Sequence, residues 1–219
     1  ALDSLVLTVL SEAKRASDGC FTYRNTAPYV LVDTLGMVCP PLIAYSVLTN
    51  DAKYSKLAVR QLLAFIDRCD PVTHLPPHGY SPDSKFNLGL VGWGRGIGWY
   101  LLGLAETLAL LPRDNESFDV LLKAFENTAF VLAELQRDDG GWSWYPPLVE
   151  ERLDSSTTSF VAYALLRIQN MAIGSQDFTQ VIDRAFICLE GLVDSQMNVR
   201  ESSGECVSLG VYSREFGVY

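Results

Sequence analysis

The sequence predicts an all-α fold, an α/α toroid in which helical hairpins pack around a common centre. Nearly apolar helices alternate with amphipathic ones, and long loops rich in glycine and aromatic residues precede the apolar helices. The alternation also repeats. Asp33, Arg95 and Thr157 lie at matching places in it, each 62 residues from the next. One hairpin therefore occupies about 60 residues, with a buried inner helix and an outer helix that faces solvent.

The composition limits the class of protein and its partners. A chain of 219 residues with 48% apolar and 20% charged content is typical of one globular domain. The net charge of −9 and the scattered basic residues make nucleic acid and membrane surfaces unexpected partners. Five cysteines without a Cys-x-x-Cys pair fit a reducing compartment best. With no signal segment or membrane-spanning run, we expect a cytoplasmic protein, although a trimmed start before Ala1 stays open.

The first part of the chain alternates as the toroid requires. Leu2 to Ala13 has a single apolar stripe and is predicted to be a helix. Val32 to Leu48 is apolar nearly all round, so we expect an inner helix with a kink at Pro40-Pro41. Ala52 to Arg68 carries its charges on one side and is predicted to be an outer helix.

The remainder repeats this order of loop, inner helix and outer helix. The predicted segments are the loop Pro71 to Gly92, the inner helix Ile97 to Leu111, the outer helix Ser117 to Gln136, the loop Asp138 to Pro147, the inner helix Ser155 to Leu166, the outer helix Asp177 to Ser195 and a fourth loop Asn198 to Tyr219. All long loops then meet at one end of the toroid, over the N-termini of the inner helices. We expect the functional site at that end.

The repeat also predicts an incomplete ring. One period beyond Thr157 is Tyr219, so a fourth inner helix would start where the sequence stops. The single domain 1–219 is therefore predicted to be a partial toroid of about three and a half hairpins. Two explanations fit equally: the chain is part of a longer protein, or it is a naturally short relative.

The run Gly92 to Trp99 opens the middle inner helix and is the first candidate for chemistry. It brings four glycines, two indoles and Arg95 to one helix N-terminus, an arrangement suited to an anion joined to a sugar ring. Turn glycines and core tryptophans are the equally open structural interpretation. A nucleotide-binding loop is not indicated, because no Gly-Lys-Ser/Thr follows and no strand precedes.

Asp33 stands at the mouth of an otherwise apolar helix. With the architecture set aside, an N-cap is the favoured interpretation, since aspartate caps helices well. A carboxyl group in apolar surroundings at the loop end of a toroid would instead have a raised pKa and could act as a general acid. The architecture therefore decides between the two.

The histidines and the third loop complete the candidates. Two prolines between His74 and His78 prevent a helical zinc pair, so we expect no metal and no cofactor, and His78 is either a loop residue near the site or a turn residue. Gln136 to Trp142 resembles the Gln/Trp repeat of terpenoid cyclases without their acidic clusters, so Trp142 is predicted to stack on a ligand. The sequence shows no nucleophile paired with a base, so it offers no candidate for covalent catalysis.

Four runs, taken in order, resemble a known family, the unsaturated rhamnogalacturonyl hydrolases of glycoside hydrolase family 105, which are related to the unsaturated glucuronyl hydrolases of family 88. The runs are Val32 to Met37, His78 to Tyr80, Trp93 to Tyr100 and Asp154 to Leu165. The resemblance covers essentially the whole chain. It implies an (α/α)6 barrel that removes a terminal 4,5-unsaturated uronic acid from a pectin-derived rhamnogalacturonan oligosaccharide.

The resemblance also implies roles for single residues. Asp33 would protonate the C4=C5 enol ether and help water add at C5, after which the hemiketal opens and the glycosidic bond is lost. Arg95 would pair with the uronate carboxylate. The sugar pocket would be lined by Met37, His78, Trp93 and Trp99.

The family pattern is incomplete in this sequence. Members carry about two further hairpins upstream, one with a second site aspartate, and a final stretch that closes the ring. Without them we expect a pocket open on one side, with exposed inner helices that form an aggregation hazard or a surface for pairing two chains. The alternative function is a non-catalytic α/α module that binds a glycan or a protein through the same loops.

Overall fold

The computed structural model describes residues 6, 8, 10–23, 29–84, 86–206, 209–213 and 215–218. Six helices are bounded within them: α1 (Asp33–Thr49), α2 (Ala52–Ile66), α3 (Gly94–Leu110), α4 (Phe118–Glu134), α5 (Ser155–Asn170) and α6 (Thr179–Leu192). Five short strands accompany them: β1 (Val30–Leu31), β2 (Pro77–Tyr80), β3 (Asn87–Val91), β4 (Ser202–Ser203) and β5 (Phe216–Gly217). The helix predicted over Leu2 to Ala13 lies partly outside the described residues; of those that are described, residues 6, 8 and 10–12 are helical.

The helices form an inner and an outer row. α3 lies between α1 and α5 and makes the most extensive helix contacts in the fold with these two neighbours. On the outside, α2 packs against α1, α4 against α3 and α6 against α5. The three inner helices carry apolar residues on most sides, so this arrangement is the one that keeps them from water. The predicted incomplete α/α toroid is confirmed.

Close packing of α1 against α3 depends on glycine. A Cβ atom added to Gly36 would lie 2.3 Å from Cε3 of Trp99, and one added to Gly103 would lie 2.9 Å from the carbonyl oxygen of Leu35. A larger residue at either position would force the two helices apart. The glycines therefore bring the N-termini of the inner helices, and the polar residues on them, close to each other.

Two predicted loops contain strands. Within Pro71 to Gly92, β2 and β3 pair antiparallel, and β1 adds to β2 in the sheet order β1-β2-β3. Within Asn198 to Tyr219, β4 pairs with β5, so that Ser203 lies opposite Phe216. We call this pair the C-terminal ribbon. The loop predictions are corrected on this point, because strands of two to five residues have too short an alternation to be recognised from sequence.

The ends of two inner helices differ slightly from the prediction. α1 runs through Pro40 and Pro41 to Thr49, and α3 begins at Gly94, three residues before the predicted start.

All five cysteines are free thiols. Within the described ranges, none of the helices combines the length and the apolar character needed to cross a membrane.

Candidate active site

Asp33 is the first residue of α1 and does not cap it. The N-cap is Val32, which offers no side-chain hydrogen bond. The side chain of Asp33 is 14% exposed, and no group in the described part of the chain donates a hydrogen bond to its Oδ2. Burial raises the pKa of Asp33, while its own backbone N–H and the positive charge of Arg95 oppose the rise. The N-cap interpretation is therefore wrong, and the carboxyl group has the raised pKa expected of a carboxyl in apolar surroundings.

Arg95 lies in the first turn of α3 and is held by the C-terminal ribbon. Its Nη1 donates to the carbonyl oxygen of Ser203 at 2.9 Å, and its Nη2 donates to that of Gly204 at 2.5 Å. The guanidinium also lies over the ring of Trp93, 5.5 Å from its centroid. A guanidinium has five N–H donors, so these contacts orient it and leave donors for an anion.

One cavity of about 320 Å³ collects the acid, the guanidinium and two indoles. It is lined by Tyr23, Asp33, Trp93, Arg95, Trp99, Ser202, Ser203, Glu205 and Cys206. Trp99 is partly exposed and is steadied by Phe160, with ring centroids 4.5 Å apart. A volume of this size lies at the lower end of small-molecule sites. The structure thus brings four predicted site residues, from α1 and from the start of α3, to one place.

His78 lies on β2 behind the wall of this cavity. Its side chain is 2% exposed, and its ring packs 4.6 Å from that of Trp93. Nε2 is 3.7 Å from Oδ2 of Asp33, and Nδ1 is 2.9 Å from Oη of Tyr212. Burial lowers the pKa of His78 to about 4, so the imidazole is neutral near pH 7. His78 therefore packs against Trp93 and faces Asp33, but it does not line the cavity itself.

Two predicted pocket residues lie elsewhere. Trp142 is fully buried, and its Nε1 donates to the carbonyl oxygen of Leu132, so its indole belongs to the core and cannot stack on a sugar. Met37 is 48% exposed and lines a separate apolar groove with residues such as Leu10. Tyr23 borders both that groove and the cavity of Asp33. The prediction for Trp142 is corrected, and Met37 is adjacent to the site.

Sequence reasoning missed two residues that support the site, Asp154 and Tyr212. Asp154 is the N-cap of α5 and is fully buried. Its Oδ1 also accepts the backbone N–H of Ser203 at 2.9 Å, which ties the C-terminal ribbon to α5. The Asp-Ser-Ser-Thr sequence is a recognisable capping signal. Nothing comparable marks Tyr212, which is reached through a long irregular segment.

In the ranges that the structure describes, no three His, Cys, Asp or Glu side chains are placed to hold a metal ion. The titratable side chains in and behind the cavity wall include the carboxyl of Asp33, the guanidinium of Arg95 and the imidazole of His78.

Comparison with known proteins identifies the family. The sequence profile described as Glycosyl Hydrolase Family 88 matches residues 1–215. The chain belongs to glycosyl hydrolase family 88. This confirms at family level the resemblance carried by the four motifs. No curated protein sequence matches the chain.

Solved structures similar to this family 88 chain share its fold. A possible member of family GH105 from Klebsiella pneumoniae has a TM-score of 0.89 and 24% identity, covering 100% of this chain and 60% of its own. A second possible member, from Salmonella enterica, has a TM-score of 0.85 and 24% identity, covering 94% and 56%. The unsaturated glucuronyl hydrolase of Bacillus sp. GL1 has a TM-score of 0.64 and 20% identity, covering 80% and 52%. The chain thus spans less than two thirds of the length of these proteins.

Proposed function

We propose that this chain carries the acid and the carboxylate-binding side of an unsaturated uronyl hydrolase. The observation that carries the proposal is one cavity in which the buried carboxyl of Asp33 and the oriented guanidinium of Arg95 meet between two indoles. An unsaturated uronate presents a carboxylate, a flat ring and an electron-rich double bond. The guanidinium, the indoles and the acid are the respective complements.

In the proposed reaction, Asp33 donates its proton to C4 of the enol ether, and the positive charge at C5 is shared with the ring oxygen. Water adds at C5 and returns a proton to the Asp33 carboxylate, which gives a hemiketal. When the hemiketal opens, C1 becomes a hemiacetal of the neighbouring sugar and expels that sugar as an alcohol. The protein therefore cleaves the bond without a second flanking carboxylate of the ordinary glycosidase type.

For the substrate we propose an unsaturated disaccharide from rhamnogalacturonan, a pectin component. Two arguments support this choice: the Trp-Gly-Arg-x-x-Gly-Trp and Asp-Thr-Leu motifs, and the greater similarity in fold to the GH105 chains than to the glucuronyl hydrolase. A glucuronyl disaccharide with the same unsaturated end is the natural comparison substrate. A faster reaction with one disaccharide than with the other would distinguish a rhamnogalacturonyl hydrolase from a glucuronyl hydrolase.

The deciding experiment follows the ultraviolet absorbance of the conjugated double bond in each disaccharide. We expect the signal to fall with the wild-type chain. With Asp33→Asn the rate should be about a hundredfold to ten-thousandfold lower, because general acid catalysis contributes roughly 10²–10⁴-fold and an amide has no acidic proton to give in its place. Circular dichroism checks that both proteins are folded. An unchanged signal with folded wild-type protein would refute the activity of this chain.

A second candidate is a glycan-binding module without activity. One observation favours it: the Nη1 and Nη2 atoms of Arg95 already donate to carbonyl oxygens of the ribbon. Calorimetric binding of either disaccharide, without loss of the double bond in the wild type, would select this candidate. Pairing of two chains through the open side of the toroid and a cytoplasmic location stay predictions.

A further inference from the structure

Three hydrogen-bonding groups are aligned behind the cavity wall. Oη of Tyr212 lies 2.8 Å from the backbone nitrogen of Leu90 and 2.9 Å from Nδ1 of His78. On the opposite edge of the imidazole, Nε2 faces Oδ2 of Asp33 at 3.7 Å. A line of polar groups therefore runs from β3 through Tyr212 and His78 to the acid.

The positions of the protons in this line follow from what each group can donate. The backbone N–H of Leu90 can only donate, so it occupies an acceptor position on the phenol oxygen. Burial raises the pKa of Tyr212 to about 12, so the phenol keeps its proton. The neutral imidazole of His78 carries a single N–H.

Two tautomers of His78 can then be compared. If Nδ1 carried the proton, the phenol oxygen would accept two N–H groups, its own proton would turn away from the imidazole, and the Nε2 lone pair would face an oxygen of Asp33. If Nε2 carries the proton, the phenol O–H donates to Nδ1 and the Nε2–H points towards Asp33. When Asp33 is ionised, only the second arrangement gives every donor in the line an acceptor or a negative partner.

Gly89 on β3 leaves room for the hydrogen bond between Tyr212 and His78. Gly89 has a φ of +72°, and a Cβ atom there would lie 2.7 Å from Oη of Tyr212 and 2.8 Å from Cβ of His78. The ring of Tyr212 also packs 5.4 Å from that of Trp93. A side chain at Gly89 would push the phenol and the imidazole apart, so the sheet leaves the space that this hydrogen bond needs.

We propose that Tyr212 is a positioning residue, which donates its phenolic proton to Nδ1 of His78 and thereby places the imidazole proton on Nε2, facing Asp33. Its consequence for catalysis rests on the proposed function. After Asp33 gives up its proton, the buried carboxylate needs compensation at Oδ2, and the Nε2–H dipole supplies it. Loss of the phenol should therefore slow turnover more than it weakens substrate binding.

Nuclear magnetic resonance tests the arrangement without any substrate. The chain contains two histidines, so ¹⁵N-labelled histidine gives two ring systems in a long-range proton–nitrogen correlation, and His74→Asn assigns them. We expect a protonated Nε2 and a hydrogen-bonded, unprotonated Nδ1 in His78 near neutral pH. A proton on Nδ1 in the wild-type chain would overturn the proposal.

The matched variants are Tyr212→Phe and Tyr163→Phe. Tyr163 also donates its phenol proton, to Oε1 of Glu106, but lies on α5 away from His78. We expect Tyr212→Phe to shift the Nδ1 resonance and populate the second tautomer, and Tyr163→Phe to leave both ring systems of the histidines unchanged. An unchanged His78 spectrum in Tyr212→Phe would overturn the proposal.

Kinetics supply the second readout. In an active chain, Tyr212→Phe should lower kcat about tenfold, the worth of one hydrogen bond, and leave KM within about twofold. An unchanged kcat would overturn the catalytic consequence. If the wild-type chain shows no turnover, the proposed function fails, and the spectrum of His78 still decides the role of Tyr212.

Discussion

Asp33 and Asp154 both lie at the start of an inner helix, Asp33 as the first helical residue and Asp154 as the N-cap, yet their surroundings are opposite. Both oxygens of Asp154 accept hydrogen bonds, from the backbone and hydroxyl groups of Ser156 and Thr157 and from the N–H of Ser203. Asp33 makes no cap, and its Oδ2 has no donor among the described residues. Both oxygens of the Asp154 carboxylate are satisfied, whereas one oxygen of Asp33, Oδ2, has no hydrogen-bond donor in the part of the chain that the structure describes.

The difference shows that an aspartate at the start of an inner helix has its hydrogen bonds satisfied in one hairpin and left partly unsatisfied in another. A satisfied carboxylate stabilises the helix start and ties distant segments together, as Asp154 does for α5 and the ribbon. A largely buried carboxyl group with few donors keeps its proton more readily, which fits the raised pKa of Asp33. Two inner helices thus each begin with an aspartate, and the local hydrogen-bond donors determine how far its carboxyl group is satisfied.

The largest expected effect tests this division through stability. Asp154→Ala removes several buried hydrogen bonds to one side chain, so we expect it to lower the free energy of unfolding by about 3 kcal/mol. Asp33→Ala loses no side-chain hydrogen bond of this kind and should change it by less than about 1 kcal/mol. Urea denaturation measures both. Equal losses in the two variants would remove the distinction.

The next effect concerns Arg95, which is linked to Asp154 through Ser203. Lysine cannot donate to two ribbon carbonyls and a carboxylate from one planar fork, so Arg95→Lys should weaken disaccharide binding roughly tenfold to a hundredfold. Calorimetry in an Asp33→Asn background prevents turnover during the measurement. The control is Arg167→Lys, since Arg167 pairs with Glu106 outside the cavity. If Arg95→Lys bound the disaccharide as tightly as the protein with Arg95, the guanidinium would not be needed for ligand recognition.

The smallest effect is a pH dependence of stability. The folded-state pKa of Asp33 lies above its ordinary value of 3.8. As the pH rises past that value, the unfolded chain ionises first, so the wild type loses stability until the pH exceeds the folded-state pKa. Asp33→Asn lacks this loss, so its stability relative to wild type should grow over that interval and then level off. A difference that shrinks as pH rises would contradict the raised pKa.

The helical framework could be predicted because each helix displays its own periodicity. α3 is apolar on nearly all sides, which requires neighbours on both flanks, and the 62-residue spacing of Asp33, Arg95 and Thr157 orders the hairpins. The same spacing places Asp33 and Arg95 at one end, where the structure brings them to a common cavity. Their catalytic and binding roles stay predictions.

The supporting residues could not be predicted because they depend on contacts between distant segments. Tyr212 follows no helical or strand pattern, and its partner His78 lies 134 positions earlier. Trp142 belongs to a loop rich in aromatic residues, and only packing against α4 decides that its indole turns into the core. Sequence periodicity describes one element at a time, whereas these roles arise between elements.

The C-terminal ribbon has a consequence for synthesis of the protein. Arg95 and Gly204 are 109 positions apart along the chain. A chain that leaves the ribosome N-terminus first can pack α1 against α3 before Ser203, Gly204 and Tyr212 have been made. Until then the guanidinium of Arg95 and the ring of His78 lack the partners that orient them. A nascent chain can therefore pack its first inner helices together before Arg95 and His78 have the partners that orient them, and the cavity is complete only once the C-terminal ribbon has been made.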